Sequence, residues 1–159
     1  MPSSRRRKQT RPKKIISGGQ TGVDRAALDV AIELGIPHGG WCPRGRLAEN
    51  GPIPPEYQLL ETESSEYRVR TERNVLDSDG TLILYRGQLT GGTELTSRLA
   101  VRYGKPRLAV NLDGDCDPEE ARRWLSDAGV CVLNVAGPRE SQSRGIAAQA
   151  AEYLRQVLG

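Results

Sequence analysis

Short apolar runs alternate with segments of helical periodicity along the chain, and this pattern predicts the fold. Buried strands are predicted at residues 14–17 (KIIS), 81–85 (TLILY), 107–112 (RLAVNL) and 130–137 (VCVLNVAG). Between these runs, apolar residues recur every three or four positions, which is typical of amphipathic helices. Strands that alternate with helices form right-handed βαβ units. We therefore predict one α/β domain with a mainly parallel, doubly wound sheet and helices on both of its faces.

The order of the strands in the predicted sheet determines which loops meet. Residues 38–42 (HGGWC) and 58–62 (QLLET) are two further extended segments, and we expect them to supply the second and third strands. The run TLILY is then the fourth strand, which neighbours the first strand in the common doubly wound order. Ligands of such sheets bind at the carboxyl ends of the strands, at the switch point where strand order reverses. The loops after KIIS and TLILY are therefore predicted to lie side by side at a ligand site.

Both of these loops are rich in glycine. The first, SGGQTG, consists of Ser17, Gly18, Gly19, Gln20, Thr21 and Gly22, and the second, LTGGTE, contains Gly91, Gly92, Thr93 and Glu94. Glycines allow backbone N–H groups to approach an anion, and the helix after each loop offers free N–H groups and a positive dipole end. Neither loop matches a Walker A motif or a GxGxxG fingerprint, which argues against ATP hydrolysis and ordinary nicotinamide binding. Together the loops predict a phosphate site, although one such loop alone would also fit an ordinary helix start.

Arginines in two other loops are candidate ligands of the same anion. Arg139 follows the last predicted strand, and Arg44 lies in a Gly- and Pro-rich loop that could close over a bound phosphate. Solvated side chains at both positions would fit the pattern equally well. His38 and Cys42, which precede Arg44, fit a structural histidine and a buried cysteine better than a metal site.

A polar helical face is predicted between residues 64 and 79. Arg70, Asn74 and Asp77 share this face because they are three or four residues apart. Such a face is usually solvated. It leads directly into the strand TLILY, so a place at the end of the sheet or in a subunit contact stays open.

Charge divides the chain into two parts. The first 14 residues contain seven Lys and Arg and no acid, so residues 15–159 have 16 basic and 20 acidic residues and a net charge of −4, against +3 for the whole chain. We predict a basic, flexible tail at residues 1–14 and a ligand-binding domain at residues 15–159. A solvated tail is favoured over one that binds nucleic acid. Three scattered cysteines and the lack of a long apolar run predict a cytoplasmic protein without a membrane span.

Five motifs together are similar to those of a known family. They are SGGQTGVDRAALDVA, GIPHGGWCPRGRLAENGPIPPEY, YRVRTERNVLDSDGTLIL, LTGGTELT and NVAGPRES. In order and spacing they resemble the molybdenum cofactor carrier proteins, from about Lys14 to Gly159. The resemblance implies a Rossmann-like fold, a homo-oligomer and the molybdenum cofactor as cargo, a pterin with a terminal phosphate and a dithiolene that holds molybdenum. It also implies that SGGQTG and LTGGT contact the phosphate and the pterin, and that a molybdoenzyme accepts the cargo. The apolar face of the last predicted helix, GIAAQAAEYL, makes a dimer or tetramer the expected oligomer.

An enzymatic function is the alternative. The carrier proteins are similar to a wider group of Rossmann-like proteins that sense or cut nucleotide-derived ligands, including phosphoribohydrolases. Those enzymes use a Pro-Gly-Gly-x-Gly-Thr motif followed by a glutamate, whereas residues 91–94 lack its proline and its extra glycine. A nucleotide hydrolase would need Glu94, Asp24 or Asp77 as its general acid or base. A carrier needs only affinity and is favoured, while a hydrolase or a nucleotide-binding sensor stays open.

Overall fold

Seven strands and five helices follow one another in residues 11–159, the part of the chain that the computed structural model describes. The strands are β1 (Lys14–Ile16), β2 (His38–Gly39), β3 (Trp41–Cys42), β4 (Leu60–Glu61), β5 (Gly80–Tyr85), β6 (Arg107–Asn111) and β7 (Val132–Ala136). The helices are α1 (Val23–Leu34), α2 (Tyr67–Asp77), α3 (Gly91–Arg102), α4 (Pro118–Asp127) and α5 (Ile146–Leu158).

The main sheet has five parallel strands in the order β2–β1–β7–β5–β6. Leu82, Ile83 and Leu84 are consecutive and fully buried in β5, as expected for a parallel strand that is covered on both faces. Helices α1 to α4 each return the chain to the start of a strand of this sheet, and every pairing in it is parallel. The predicted doubly wound, Rossmann-like α/β fold is confirmed.

The predicted strand order is wrong in two respects. β7 lies between β1 and β5, because its residue Asn134 pairs with Ile16 on one side and with Thr81 on the other. In addition, the segment 58–62 supplies no strand to the main sheet, since β4 pairs with β3 in a separate two-stranded parallel sheet. The apolar periodicity of a strand shows how deeply it is buried but not which strand it lies beside.

The two faces of the sheet have different packing partners. Helices α1, α4 and α5 cover one face and enclose the largest apolar cluster, to which the strands contribute Ile15, Leu82 and Leu133. Helices α2 and α3 cover the other face around a smaller cluster of Val75, Leu99 and Ala100. Polar strand residues are buried on this second side, where the Asn134 amide donates to the Thr81 hydroxyl at 3.3 Å. This hydrogen bond provides a partner for two polar groups that are buried in the sheet.

Helix α5 uses its apolar face within the chain. Its side chains of Ile146, Leu154 and Leu158 are buried in the cluster shared with α1 and α4. This face is therefore occupied, and it does not supply a subunit contact. The homo-oligomer implied by the family resemblance stays a prediction.

The start of the described region joins the sheet. The backbone N–H groups of Lys13 and Lys14 both donate to the carbonyl of Cys131, and Pro12 is buried, so the sheet begins within the last residues of the predicted tail. Residues 1–10 of that tail lie outside the described residues. Between residues 11 and 159, none of the helices has both the length and the apolarity that a membrane span needs.

His38 generates a prediction about acid stability. Its Nε2 accepts a hydrogen bond from the Gln58 N–H at 3.1 Å, and partial burial together with the nearby Lys14 lowers the pKa of His38 below 6.5. The unfolded chain then binds more protons at this site than the folded one, so the free energy of unfolding falls as pH drops below about 6.5. We expect His38→Gln, measured by denaturant unfolding at about pH 7.5 and about pH 5.5, to lose less stability on acidification than wild type. An equal loss in both proteins would contradict this.

Candidate functional site

A cavity of about 250 Å³ opens at the carboxyl ends of the central strands. Its lining includes the loop after β1, the loop after β7 and the first turns of α2 and α3. β7 connects to α5 on one face of the sheet, whereas its neighbour β5 connects to α3 on the opposite face. The cavity therefore lies where the direction of the connections reverses, which is the usual ligand position in open α/β sheets.

A buried ion pair forms part of the cavity wall. Arg70 Nη1 of α2 lies 3.1 Å from Asp24 Oδ2 of α1, and the two side chains are only 13% and 7% exposed. The backbone N–H of Gln20 also donates to Asp24 Oδ2, at 3.4 Å. Burial raises the pKa of Asp24, and the Arg70 guanidinium opposes that shift. The pair anchors an arginine at the cavity in a fixed position.

Gly18 allows the arginine to reach this position. A Cβ atom added at Gly18 would lie 1.5 Å from Nη1 of Arg70 and 2.5 Å from its Cζ, so the guanidinium occupies the space of a side chain. The glycine is required here by this close approach. The loop after β1 thus supplies an open surface against which a side chain from α2 packs.

Two buried donors at the cavity have no hydrogen-bond partner among residues 11–159. They are Nε2 of Gln20 and Nε of Arg70. The Gln20 amide is oriented by its other end, because its Oε1 accepts from the N–H groups of Thr21 and Glu49 at 3.1 and 2.8 Å. A buried donor without an acceptor is costly, and a bound anion would supply the acceptors.

The charge around the cavity is positive. Its lining contains the three guanidinium groups of Arg68, Arg70 and Arg139 and a single carboxylate, that of Asp24. The ring of Tyr67 lies next to two of them, with its centroid 5.4 Å from Arg70 Cζ and 6.0 Å from Arg139 Cζ. Helix α3 adds its N-terminal turn at Gly92 and Thr93, where no side chain caps the free N–H groups.

Comparison with known proteins identifies the family. Residues 15–158 match the model of the circularly permutated YpsA SLOG family. The chain belongs to this family. A search of the curated proteins found no match to this SLOG-family chain.

A solved structure is also similar along nearly the whole length. It is the crystal structure of a protein from Syntrophus aciditrophicus SB that is named a putative molybdenum carrier protein. The sequences are 49% identical, the TM-score is 0.89, and the match covers 93% of this chain and 96% of the other. The resemblance to molybdenum carrier proteins that the sequence motifs indicated is confirmed.

Five residues of the sequence-predicted site line the cavity of this SLOG-family protein. They are Gly18, Gln20, Gly92, Thr93 and Arg139. Both glycine-rich loops therefore contribute to one cavity. They do so across β7, which lies between the strands that precede them.

Two residues of the first loop, Ser17 and Gly19, make contacts within the protein and do not line the cavity. The Ser17 hydroxyl is buried and donates to the carbonyl of Asp24 at 2.9 Å, so it is already used within the loop. Gly19 has a positive φ of 75°, and a Cβ atom there would lie 2.5 Å from Leu59 Cδ1 and 3.0 Å from Ile53 Cδ1. Gly19 thus packs against the loop that follows β3, and its α-carbon is turned away from the cavity.

Thr21 and Gly22 point to the opposite side of the first loop. The Thr21 hydroxyl donates to Glu49 and accepts from the N–H of Glu140 at 3.2 Å. A Cβ atom at Gly22 would lie 2.3 Å from the carbonyl oxygen of Pro138, so this glycine allows the loops after β1 and β7 to touch. These two residues hold the loops together behind the cavity.

Three other predicted residues lie outside the cavity lining. Arg44 is exposed, and its backbone N–H donates to the carbonyl of Ser64 at 2.8 Å. Glu94 forms an ion pair with Arg98, one turn further along α3. Gly91 is exposed at the first position of α3 with a φ of 53°. The side of α3 that faces the cavity carries Thr93 and Thr96 and not Glu94.

Helix α2 supplies lining residues that the glycine-rich motifs did not indicate. Tyr67, Arg68, Arg70, Thr71 and Asn74 all line the cavity. The sequence predicted a polar face on this helix, which was a sign that the helix could contribute to a site. The sequence alone does not show that this face turns toward the carboxyl ends of the strands.

The neighbouring polar groups have structural contacts. The Asn74 amide also binds both the N–H and the carbonyl of Trp41, at 2.8 and 3.0 Å. Asp77 lies outside the lining and accepts from the Trp41 indole at 2.7 Å. Cys42 is fully buried against Leu28, and burial raises the pKa of its thiol.

The contact between Gly18 and Arg70 can be tested by substitution. We expect Gly18→Ala to displace the guanidinium and to leave Asp24 buried without its partner, at a cost of about 1–3 kcal/mol in the free energy of unfolding. Denaturant unfolding measures the change. The matched control is Gly92→Ala in the second loop, where a Cβ atom meets nothing within 4 Å. We expect this helical substitution to be neutral or to stabilise the protein by about 0.5–1 kcal/mol. Equal stability of Gly18→Ala and wild type would contradict the required close approach.

Proposed function

We propose that this protein is a molybdenum cofactor carrier that binds the phosphate-bearing pterin in the cavity between α2, α3 and the loops after β1 and β7. The observation that carries the proposal is the set of donors at one cavity. Three guanidinium groups face one carboxylate there, and two buried N–H donors have no partner within residues 11–159.

The charge of the cavity matches that of a phosphate monoester. The lining has a surplus of two positive charges, three from arginines against one from Asp24. A phosphate monoester carries about −1.5 to −2 near neutral pH and offers three acceptor oxygens. The uncapped N-terminus of α3 adds backbone donors and the positive end of a helix dipole. Binding would neutralise the surplus charge and satisfy the unpartnered donor of Gln20.

The size of the cavity suggests that it holds the phosphate end and part of the pterin. Its volume of about 250 Å³ is smaller than the usual ~300–1,000 Å³ of a site that encloses a drug-sized ligand. The remainder of the cofactor would then extend beyond the lining. The similar protein from Syntrophus aciditrophicus SB, named as a molybdenum carrier, supports the choice of cargo.

A carrier needs affinity without a reactive group that is aimed at the cargo. Two of the three candidate acids, Glu94 and Asp77, lie outside the cavity lining and bind Arg98 and Trp41 instead. We propose that the protein acts in the cytoplasm as a homo-oligomer and delivers its cargo to a molybdoenzyme. The oligomer and the acceptor rest on the family resemblance, and the location rests on the three scattered cysteines.

Retention of the cofactor tests the carrier function. The purified protein is incubated with cofactor released from a molybdoenzyme, desalted, and assayed for molybdenum and for fluorescent oxidised pterin. We expect wild type to retain both at a fixed ratio to protein. Arg139→Gln removes a lining guanidinium and should weaken retention about tenfold or more, which is typical of a lost charged hydrogen bond.

Arg144→Gln is the matched control for that variant. Arg144 lies in the same loop, is exposed, and does not line the cavity. We expect its retention to equal that of wild type. Equal losses in both variants would indicate a nonspecific charge effect, and no retention by folded wild type would refute the carrier function.

A nucleotide hydrolase is the second candidate, and Asp24 is the observation that favours it. Asp24 is the carboxylate that lines the cavity, and burial raises its pKa, as is common for carboxyl groups that act as general acids. Its ion pair with Arg70 and its hydrogen bond from Gln20 give the same group a structural role.

Release of a free base from adenosine 5′-monophosphate distinguishes the two candidates. A hydrolase should release adenine, and Asp24→Asn should reduce the rate about a hundredfold or more. A carrier should release no base with either protein. We expect the second result, with chromatographic detection of adenine as the measurement.

A further inference from the structure

Tyr67 is an aromatic side chain at the cavity that the packing of the protein does not require. It is the first residue of α2, and 39% of its surface is exposed. None of the apolar clusters within residues 11–159 includes it. It is the one aromatic residue in the cavity lining described for those residues. Because the core does not use this ring, its position at the cavity points to a ligand.

The two arginines beside Tyr67 differ in how firmly they are held. Arg70 is fixed by its ion pair with Asp24 at 3.1 Å. Arg139 lies on the loop after β7 and has no ion pair within 4 Å among residues 11–159. Its guanidinium carbon lies 6.0 Å from the centroid of the Tyr67 ring. Arg70 is therefore tied to Asp24, whereas no ion pair within residues 11–159 holds Arg139 at the ring.

We propose that Tyr67 and Arg139 form a stacking subsite for the planar heterocycle of the cargo, with the heterocycle inserted between the phenol ring and the guanidinium. This inference rests on the function proposed above. A planar ring between two parallel groups needs about 7 Å, because each van der Waals contact takes about 3.5 Å. Arg139 would have to withdraw by only about 1 Å from its present 6.0 Å. Both the phenol face and the guanidinium plane stack favourably on heterocycles.

The subsite complements the anion donors of the same cavity. Gln20 and the N-terminal turn of α3 offer donors to the phosphate, while Tyr67 and Arg139 contact the faces of the ring. Stacking on a face is tolerant of the pattern of groups along the ring edge. The site should therefore accept phosphorylated pterins and purines alike, and should discriminate against phosphate esters that have no aromatic heterocycle.

The test compares ligands that carry an aromatic heterocycle, called ring ligands below, with one that carries none. Wild type, Tyr67→Leu and Tyr67→Phe are titrated with oxidised phosphorylated pterin from a molybdoenzyme, with adenosine 5′-monophosphate and with ribose 5-phosphate. We expect Tyr67→Leu to bind both ring ligands about tenfold or more weakly than wild type, and ribose 5-phosphate within about twofold. Tyr67→Phe keeps the ring and should restore ring binding. Quenching of pterin fluorescence on binding gives a spectroscopic readout of stacking.

Tyr103→Leu is the matched control. Tyr103 has a similar exposure of 36%, and it lies at the opposite end of α3 from the cavity. We expect all three ligands to bind this variant as they bind wild type.

The outcomes separate this inference from the proposed function. If the Tyr67→Leu variant binds ring ligands as tightly as wild type does, the stacking subsite is refuted and the carrier function still stands. A loss that is equal for ribose 5-phosphate would also overturn it, because Tyr67 would then act only by positioning the arginines. If folded wild type binds neither ring ligand, the proposed function fails and the subsite fails with it.

Discussion

The buried ion pair between Asp24 and Arg70 is the interaction on which the arrangement of the site depends. Asp24 belongs to α1, on one face of the sheet, and Arg70 to α2, on the other, so the pair joins the two helix layers across the end of β1. Desolvation offsets much of the attraction in a buried pair, so its main effect is on position. The Ser17 hydroxyl and the Gln20 N–H also bind Asp24, and the first loop is shaped around this one residue.

A second carboxylate, that of Glu49, links the loops after β1 and β7 outside the cavity. Glu49 accepts hydrogen bonds from the hydroxyls of Thr21 and Ser141, which lower its pKa, and its own N–H donates to Gln20. Three loops that are distant in sequence are thereby tied at one point outside the cavity. Asp24 and Glu49 hold the first loop from its two sides, and their contacts orient Gln20 and Arg70.

The groups at the site are better suited to binding a ligand than to catalysing a reaction. Guanidinium groups, amides and a helix N-terminus lie around the cavity, and these are the groups that proteins use to bind phosphate. Asp24, the carboxylate in the cavity lining, already accepts hydrogen bonds from the Arg70 guanidinium and the Gln20 N–H. A carboxylate that already accepts these two hydrogen bonds is well suited to orient Arg70. The residues that we propose to bind the ligand are thus among those that hold the loops in place.

The sequence by itself determined the alternation of strands and helices, the doubly wound fold, the family and the two glycine-rich loops, because apolar periodicity and glycine positions are local properties of the chain. Only the tertiary structure decided that β7 lies between β1 and β5 and that the loops meet across it. It also decided that Tyr67 and Arg70 enter the cavity while Arg44 and Glu94 lie outside its lining. Periodicity fixes which residues of a helix share a face. The direction in which that face turns depends on contacts between distant segments, such as the space that Gly18 leaves for Arg70.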